Sequence, residues 1–482
     1  MLLLALIVHV VAAWFSSGWH HPDEHFQLIE FAQHINGHVN ESELPMEFHL
    51  AMRPTLQVWL SYIQIQFYHF IGINNPFLIA FLMRLLIAFA GIGAAFYFHK
   101  QLKYRNATSA KIHLLLSLFT WALVYVHVRF SSENLTGLLL VLGSSFLVKE
   151  QTVKNIAIGF FLLGMAFEAR FQTGFYILGI GLYLLIQRKY SFKQWIWASF
   201  SGSIAIATCS LLDCYYYQTW TFTPWNYFNL NIFHQVAASF GTEPWYWYLA
   251  QINEKLIPPF GFGILAGLML CVWKPSYRMI GFGLLFFLIG HSLVGHKEFR
   301  FLFPLAYFIP LLLVLVYEQL SNLYATKHPL LLPRIGLVLI CVNAVALGIV
   351  ALSPAHQLLP LLNAINQYVP AHAKVYYTEE HPFYSGKNKN SFYLQKPLQF
   401  EQVNTDSMPV LASTTNKPVF LVCNAFEEPP FLNAYQKQVR YCSFPEWIKV
   451  FNFNGWMNRS NCYQLYEIEP SEESTSKRNN QH

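Results

Sequence analysis

The sequence predicts an all-α polytopic membrane protein with a small C-terminal α/β domain outside the bilayer. The first observation is composition. Of 482 residues, 54% are apolar and only 12% are charged, whereas soluble proteins carry roughly 25% charge. The second is the recurrence of apolar segments separated by short basic loops. The third is a change after residue 353, where the chain turns polar and carries short β-rich runs. The 43 Phe, 27 Tyr and 13 Trp fit aromatic belts at two membrane interfaces.

A helix crosses a bilayer with about 20 apolar residues. The candidate spans are 1–17, 77–98, 112–128, 133–148, 155–168, 172–187, 194–213, 256–273, 279–295, 301–317 and 333–352, about eleven in all. The first has no basic n-region and no A-x-A site after it, so it is expected to be an uncleaved helix and not a signal peptide. Lys100, Lys103, Arg105 and Lys111 fall in one loop, Lys149 and Lys154 in a second, and Arg188, Lys189 and Lys193 in a third. Lys274 and Arg278 make a fourth, Lys327 and Arg334 a fifth. Basic short loops stay cytosolic. If these five do, parity puts 18–55, 214–255, 296–300 and everything after 353 on the far face. Residues 56–73 are apolar but contain Gln57, Gln64, Gln66 and His69. One crossing there would break the parity, so an interfacial or re-entrant helix is expected, with a distorted first-loop topology as the alternative.

The predicted strands are 374–378, 418–424, 437–442 and 462–468. The expected divisions are 1–352 for the helical catalytic part, 353–470 for a soluble extracytoplasmic α/β domain, and 471–482 for a disordered polar tail. The net charge of +6 is scattered in pairs and forms no patch, which excludes nucleic acid as a partner. The seven Cys form no metal pattern, and no metal or cofactor is expected. Cys423, Cys442 and Cys462 are compatible with one disulfide in an oxidising compartment, and the sequence leaves the pair open.

Four places carry residues suited to chemistry. His20, His21, Pro22, Asp23 and Glu24 open the first far-side loop. Proline at the start and acids in the first turn make a good helix N-terminus, and Phe26, Ile29 and Phe31 among polar neighbours suggest a helix lying on the membrane surface. Asp23 and Glu24 either cap that helix or supply the base of an inverting glycosyl transfer, which must take a proton from the acceptor hydroxyl. The turn His296, Lys297, Glu298, Phe299, Arg300 sits between two apolar spans, where charge is expensive and usually functional. Lys297 and Arg300 suit a lipid phosphate, which Arg grips with a bidentate fork; the competing reading is snorkelling plus a Lys–Glu pair. Arg53 and Arg170 end far-side helices, where each taken singly reads as an interfacial anchor. The stretch 213–248 holds Trp225, Asn226 and Trp245, whose rings serve either sugar stacking or interfacial anchoring.

These motifs resemble glycosyltransferase family 22, the GT-C mannosyltransferases of N-glycan and GPI-anchor assembly, and most closely their GPI third-mannose type. HPDEHFQ at 21–27 with MRP at 52–54 is similar to that family's acidic first-loop motif. TWTFTPWNYFNLN at 219–231, EPWYWY at 243–248 and GHKEFRFLFP at 295–304 are similar to its later elements. The resemblance spans roughly residues 1–320. It implies a GT-C-like fold, a dolichol- or polyprenyl-phosphate sugar donor, a glycan or glycolipid acceptor, and inverting transfer on the lumenal or periplasmic face. The membrane would be that of the endoplasmic reticulum in a eukaryote or the inner membrane in a bacterium. The acid pair maps to Asp23 and Glu24, and the phosphate-side signature to His296, Lys297, Glu298 and Arg300.

The rival class is a transporter or flippase of lipid-linked sugars. It would carry inverted repeats or paired broken helices around midplane charges. No internal repeat is visible, and the charges gather at one membrane face. A scaffold with a partner-binding tail would leave the polar turn 296–300 unexplained.

Overall fold

The computed structural model describes residues 1–324, 327–379, 381–385, 388–403, 418–426, 428–452 and 462–468. The expected disordered tail lies outside the described residues. The chain forms two compact units that interleave along the sequence. One comprises 1–16, 46–64 and 81–353; the other comprises 17–45, 65–80 and 354–482. The first loop is therefore grouped with the C-terminal segment and not with the helical bundle that precedes and follows it.

The first unit is helical, and every predicted span falls on a helix. Pro76–Gln101, Phe192–Tyr217, Phe299–Tyr324 and Leu331–Leu352 are long and apolar enough to cross a membrane, and Ala107–Phe119 with Trp121–His127 forms a bent pair. Leu2–Phe15, Ser132–Val148, Phe171–Ile186, Pro258–Trp273 and Arg278–Leu293 are apolar but shorter. At 1.5 Å per residue a 16-residue helix covers about 24 Å, less than the roughly 30 Å hydrocarbon core. Length and apolarity thus support four or five full crossings among the described residues, against about eleven expected. Leu56–Phe70 is helical and belongs to neither group, as an interfacial helix would.

Tight helix packing explains the glycines. A Cβ on Gly179 would lie 2.4 Å from the Phe282 carbonyl oxygen, and one on Gly267 would lie 2.3 Å from that of Leu312. Only glycine allows such backbone approach, the usual device where lipid supplies no hydrophobic drive between helices. The continuous core runs through Phe98, Tyr176, Ile180, Leu284, Phe287, Tyr307 and Phe308.

The ends of this bundle are chemically distinct. At one end, Lys274 Nζ lies 2.8 Å from Glu318 Oε2, Arg105 N donates to Glu318 Oε1 at 3.4 Å, and the Arg105 side chain reaches Asn322. Tyr277 donates to the Lys103 carbonyl. Gln194 Nε2 donates to the Gln151 carbonyl at 2.8 Å, joining the second and third basic loops. Four of the five basic loops are thus cross-linked in two pairs. Arg300 and Glu318 stand near opposite ends of Phe299–Tyr324, separated by roughly 30 Å of helix rise. Single cysteines at Lys103 and Gln151, in a background cleared of native cysteines, are expected to label from one face and a cysteine at Trp245 from the other. Labelling of all three from one face would overturn the parity.

The second unit contains a five-stranded mixed sheet. Its strands are β1 Lys374–Tyr377, β2 Gln399–Gln402, β3 Val419–Asn424, β4 Lys437–Cys442 and β5 Tyr463–Ile468. The order is β2-β1-β3-β5-β4. β1 pairs in parallel with β2 and β3, while β3–β5 and β5–β4 are antiparallel. Four strands fall where the sequence predicts them. β2, with the polar sequence QFEQ, gives no periodic signal. Helix Leu358–Tyr368 buries Leu358, Leu361, Leu362 and Ile365, the one-sided spacing of an amphipathic helix. Cys423 and Cys442 are free thiols among the described residues.

Candidate active site

In the helical unit, local helix rules bring charged side chains from three elements together. Ser131 caps Ser132–Val148 by accepting from Asn134 N at 3.2 Å. That places Glu133 in the first turn, where the helix dipole favours a carboxylate. Arg170 is the C-cap of Val153–Ala169, the end that favours a cation. Glu298 precedes the 3₁₀ turns Phe299–Phe308, which run into helix Ile309–Tyr324.

Glu133 is 1% exposed and bridges the two arginines. Its Oε1 accepts from Arg170 Nη1 and, at 3.4 Å, from Arg300 Nη1. Ser132 Oγ accepts from Arg170 Nη1 at 3.2 Å. Arg300 turns its fork onto Glu298, with Nε 2.5 Å from Oε2 and Nη2 3.2 Å from Oε1. His296 Nε2 lies 3.1 Å from Glu298 Oε1, and its Nδ1 lies 3.0 Å from the Gly241 carbonyl. The Phe301 ring lies 5.1 Å from the Arg170 guanidinium and 5.4 Å from that of Arg300. Two guanidinium groups, that of Arg300 buried and that of Arg170 partly buried, are thus neutralised by two carboxylates over one aromatic ring. Among the described contacts, Nε and Nη2 of Arg170 carry no protein hydrogen bond.

Lys297 has a different occupation from the phosphate contact expected of it. Its ammonium donates to the carbonyls of Glu243 (2.8 Å), Val294 and Gly295 (3.4 Å). Burial pushes it below the usual lysine range. It ties the 243 loop to the 294–297 turn. The Lys–Glu pair of the competing reading is not formed by Lys297 either, since the fork on Glu298 comes from Arg300.

The loops around this cluster are held by buried polar contacts. Asp213 Oδ1 accepts from Thr55 N at 2.7 Å and Thr55 Oγ1 at 2.6 Å, and its Oδ2 accepts from Thr223. Arg53 pairs with Glu47 at 3.3 Å and lies 5.8 Å from the Tyr227 ring centre. Asn226, a candidate for sugar contact, spends its amide nitrogen on the Ala51 carbonyl (3.1 Å) and Thr221 Oγ1 (2.9 Å). That occupation is structural. Trp225 and Trp245 present open rings, 55% and 67% exposed, a geometry that serves a sugar or an interface equally.

In the second unit, Asp23, Glu24 and His25 form one helical turn after Pro22. The two acids separate by exposure. Asp23 is a quarter exposed, with His21 Nδ1 3.4 Å from its Oδ1, whereas Glu24 is 5% exposed. The surface helix expected after them is absent. Phe26–Glu30 is π-helical and Phe31–Ile35 α-helical, and residues 24 to 33 are all buried, because this loop packs within its unit.

Glu133 is the residue that sequence reasoning missed. It fell inside a predicted span, and an ionisable residue within a span is itself a signal of function. Arg170 was visible, but its partners Ser132, Glu133 and Phe301 come from 37 and 38 residues upstream and 131 downstream, which spacing cannot show.

The profile of the Alg9-like mannosyltransferase family matches residues 1–381. GPI mannosyltransferase 3 of Candida albicans is 29% identical over 290 residues, 59% of this chain and 56% of that protein. A probable Dol-P-Man:Man(7)GlcNAc(2)-PP-Dol alpha-1,6-mannosyltransferase of Schizosaccharomyces pombe is 28% identical over 196 residues, 40% of this chain and 35% of that one. The chain spans about half or less of the length of these curated relatives. Among solved structures, ArnT from Cupriavidus metallidurans bound to undecaprenyl phosphate superposes with a TM-score of 0.58 at 13% identity, covering 97% of both chains. That likeness is one of fold.

Proposed function

Because the chain belongs to the Alg9-like mannosyltransferase family, we propose that it transfers mannose, or a related hexose, from a dolichol- or polyprenyl-phosphate sugar to a glycan or glycolipid hydroxyl. The acceptor is of the GPI-glycolipid type, in keeping with the name of the Candida albicans relative. The reaction takes place on the lumenal or periplasmic face. The single observation that carries this reading is the Glu133–Arg170–Arg300–Glu298 cluster, a charge-balanced arginine–carboxylate site in which donors of Arg170 remain uncommitted among the described contacts.

In this reaction the acceptor oxygen attacks the anomeric carbon while the bond from that carbon to the phosphate oxygen breaks. The sugar passes through an oxocarbenium-like state, and attack opposite the leaving group inverts the anomeric centre. Arg170 stabilises the charge that collects on the departing lipid phosphate, and the hydroxyl proton goes to a carboxylate base, for which the sequence motif offers Asp23. Glu133 and Ser132 hold the Arg170 guanidinium in place. Trp225 and Trp245 offer faces to sugar rings.

Purified protein in lipid nanodiscs, given labelled polyprenyl-phosphate mannose and a dimannosyl glycolipid, is expected to yield a mannosylated lipid and release polyprenyl phosphate. Movement of the donor between leaflets without transfer would favour the flippase reading instead.

A further inference from the structure

The first loop contains a second acid–base pair, built from residues that the reaction above does not use. His25 Nε2 lies 2.8 Å from Glu30 Oε1, and the two side chains are 1% and 2% exposed. The π-helical turn Phe26–Glu30 makes this pair possible. At about 100° per residue, an α-helix would set residues 25 and 30 roughly 140° apart. A turn closed by i→i+5 bonds returns residue 30 to the same side, and such turns occur frequently at functional sites.

The pair is also where the first loop meets the C-terminal segment. Glu30 Oε1 accepts from Phe392 N at 3.0 Å. The His25 ring is sandwiched between Trp19 (centroids 4.8 Å apart, 20° between planes) and Tyr393 (5.2 Å, 23°). Trp19 in turn stacks on His356 at 5.1 Å. Ser17 O accepts from Ala355 N at 2.7 Å. Gly18, at φ +94°, permits this approach, since a Cβ there would lie 3.0 Å from His356. The stack runs His356–Trp19–His25–Tyr393, with two first-loop rings held between two rings of the C-terminal segment, and His25 is the residue next to the acid pair Asp23–Glu24.

We propose that His25 and Glu30 are positioning residues, through which the segment 355–393 fixes the orientation of the Asp23–Glu24 turn for proton removal. The proposal rests on the reading of that turn as the base. It gives the C-terminal segment a role in the chemical step. A buried imidazole–carboxylate pair locked between two aromatic faces leaves the turn one orientation. Displacing a catalytic group by about 1 Å costs on the order of 10²-fold in rate.

The test uses the full chain in nanodiscs, with steady-state kinetics, donor-binding and thermal-unfolding measurements. Glu30→Ala, His25→Ala and Tyr393→Ala are each expected to lower kcat about 10- to 100-fold while donor KM changes less than about threefold. Tyr393→Phe, which keeps the stacking face, is expected to restore most of the rate. The double variant His25→Ala, Glu30→Ala is expected to lose no more than either single one, since the two act as a unit. In an Asp23→Asn background, Glu30→Ala is expected to lower the residual rate no further. Folded Glu30→Ala and Tyr393→Ala variants with normal kcat would overturn the proposal. So would losses confined to KM, or to the folded fraction. If Asp23→Asn and Glu24→Gln both stay active, the base assignment fails independently of the dyad.

Discussion

Asp23→Asn is expected to abolish sugar transfer in protein that still folds and still binds donor. Removing a general base typically costs about 10²–10⁴ in rate. The two acids of the turn predict different outcomes because of where they sit. Asp23 is a quarter exposed beside His21, so an acceptor hydroxyl has access to it. Glu24 is buried, so an acceptor hydroxyl has less access to it. Glu24→Gln is therefore expected to affect folding more than chemistry, with a lower melting temperature and a near-normal kcat in the folded fraction. The alternative role of Asp23 is as a helix-start acid. Asn serves that role almost as well, and the turn is only three residues long, so the capping reading predicts little change. A folded Asp23→Asn variant with close to full kcat would remove it as the base and move the role to Glu24. Single-turnover measurements with pre-bound donor separate the chemical step from binding and release.

The parts legible in the sequence were those fixed by local composition. The apolar runs of the first unit all fell on helices, four or five of them long and apolar enough to cross a membrane, and β-branched and aromatic runs located four strands of the sheet. The strand Gln399–Gln402 was silent because its place is set by pairing with Lys374–Tyr377, not by its own residues. The grouping of 17–45 with the C-terminal segment was equally silent. It depends on contacts such as Glu30 with Phe392 N, which cross more than 300 residues. At the candidate site, the HKEFR turn stood out because charges between two apolar spans are costly. Their division of labour did not. Lys297 and Arg300 both read as phosphate ligands, with Arg300 favoured for its bidentate fork, and only the geometry shows the ammonium spent on carbonyls and that guanidinium forked onto Glu298. Glu133 was hidden for the opposite reason, as a lone acid at the edge of an apolar run.

That division of labour sets the second large effect. Arg170→Lys is expected to raise the donor KM at least tenfold with folding unchanged, whereas Arg300→Lys is expected to act mainly on stability. Arg170 reaches protein through Nη1 alone among the described contacts. Its remaining donors can present the planar fork that suits a phosphate, which a lysine ammonium cannot reproduce. A single point charge at position 170 would keep the ion pair with Glu133 and lose the fork. Arg300 is committed differently. Its fork is closed on Glu298 and its remaining nitrogen faces Glu133, so it neutralises two carboxylates, one of them fully buried. Arg300→Met would leave both without that charge. Removing one partner of a buried pair typically costs about 3–5 kcal/mol, a large part of the stability of most domains. The expected result is a marked fall in melting temperature, partly rescued by combining Arg300→Met with Glu298→Gln. Donor titration of detergent-solubilised protein, followed by unfolding scans with and without polyprenyl phosphate, distinguishes the two residues. Polyprenyl phosphate should stabilise the Arg300→Lys variant and fail to stabilise Arg170→Lys. The reverse pattern would return the phosphate contact to Arg300, and equal stabilisation of both variants would remove the cluster from donor binding altogether.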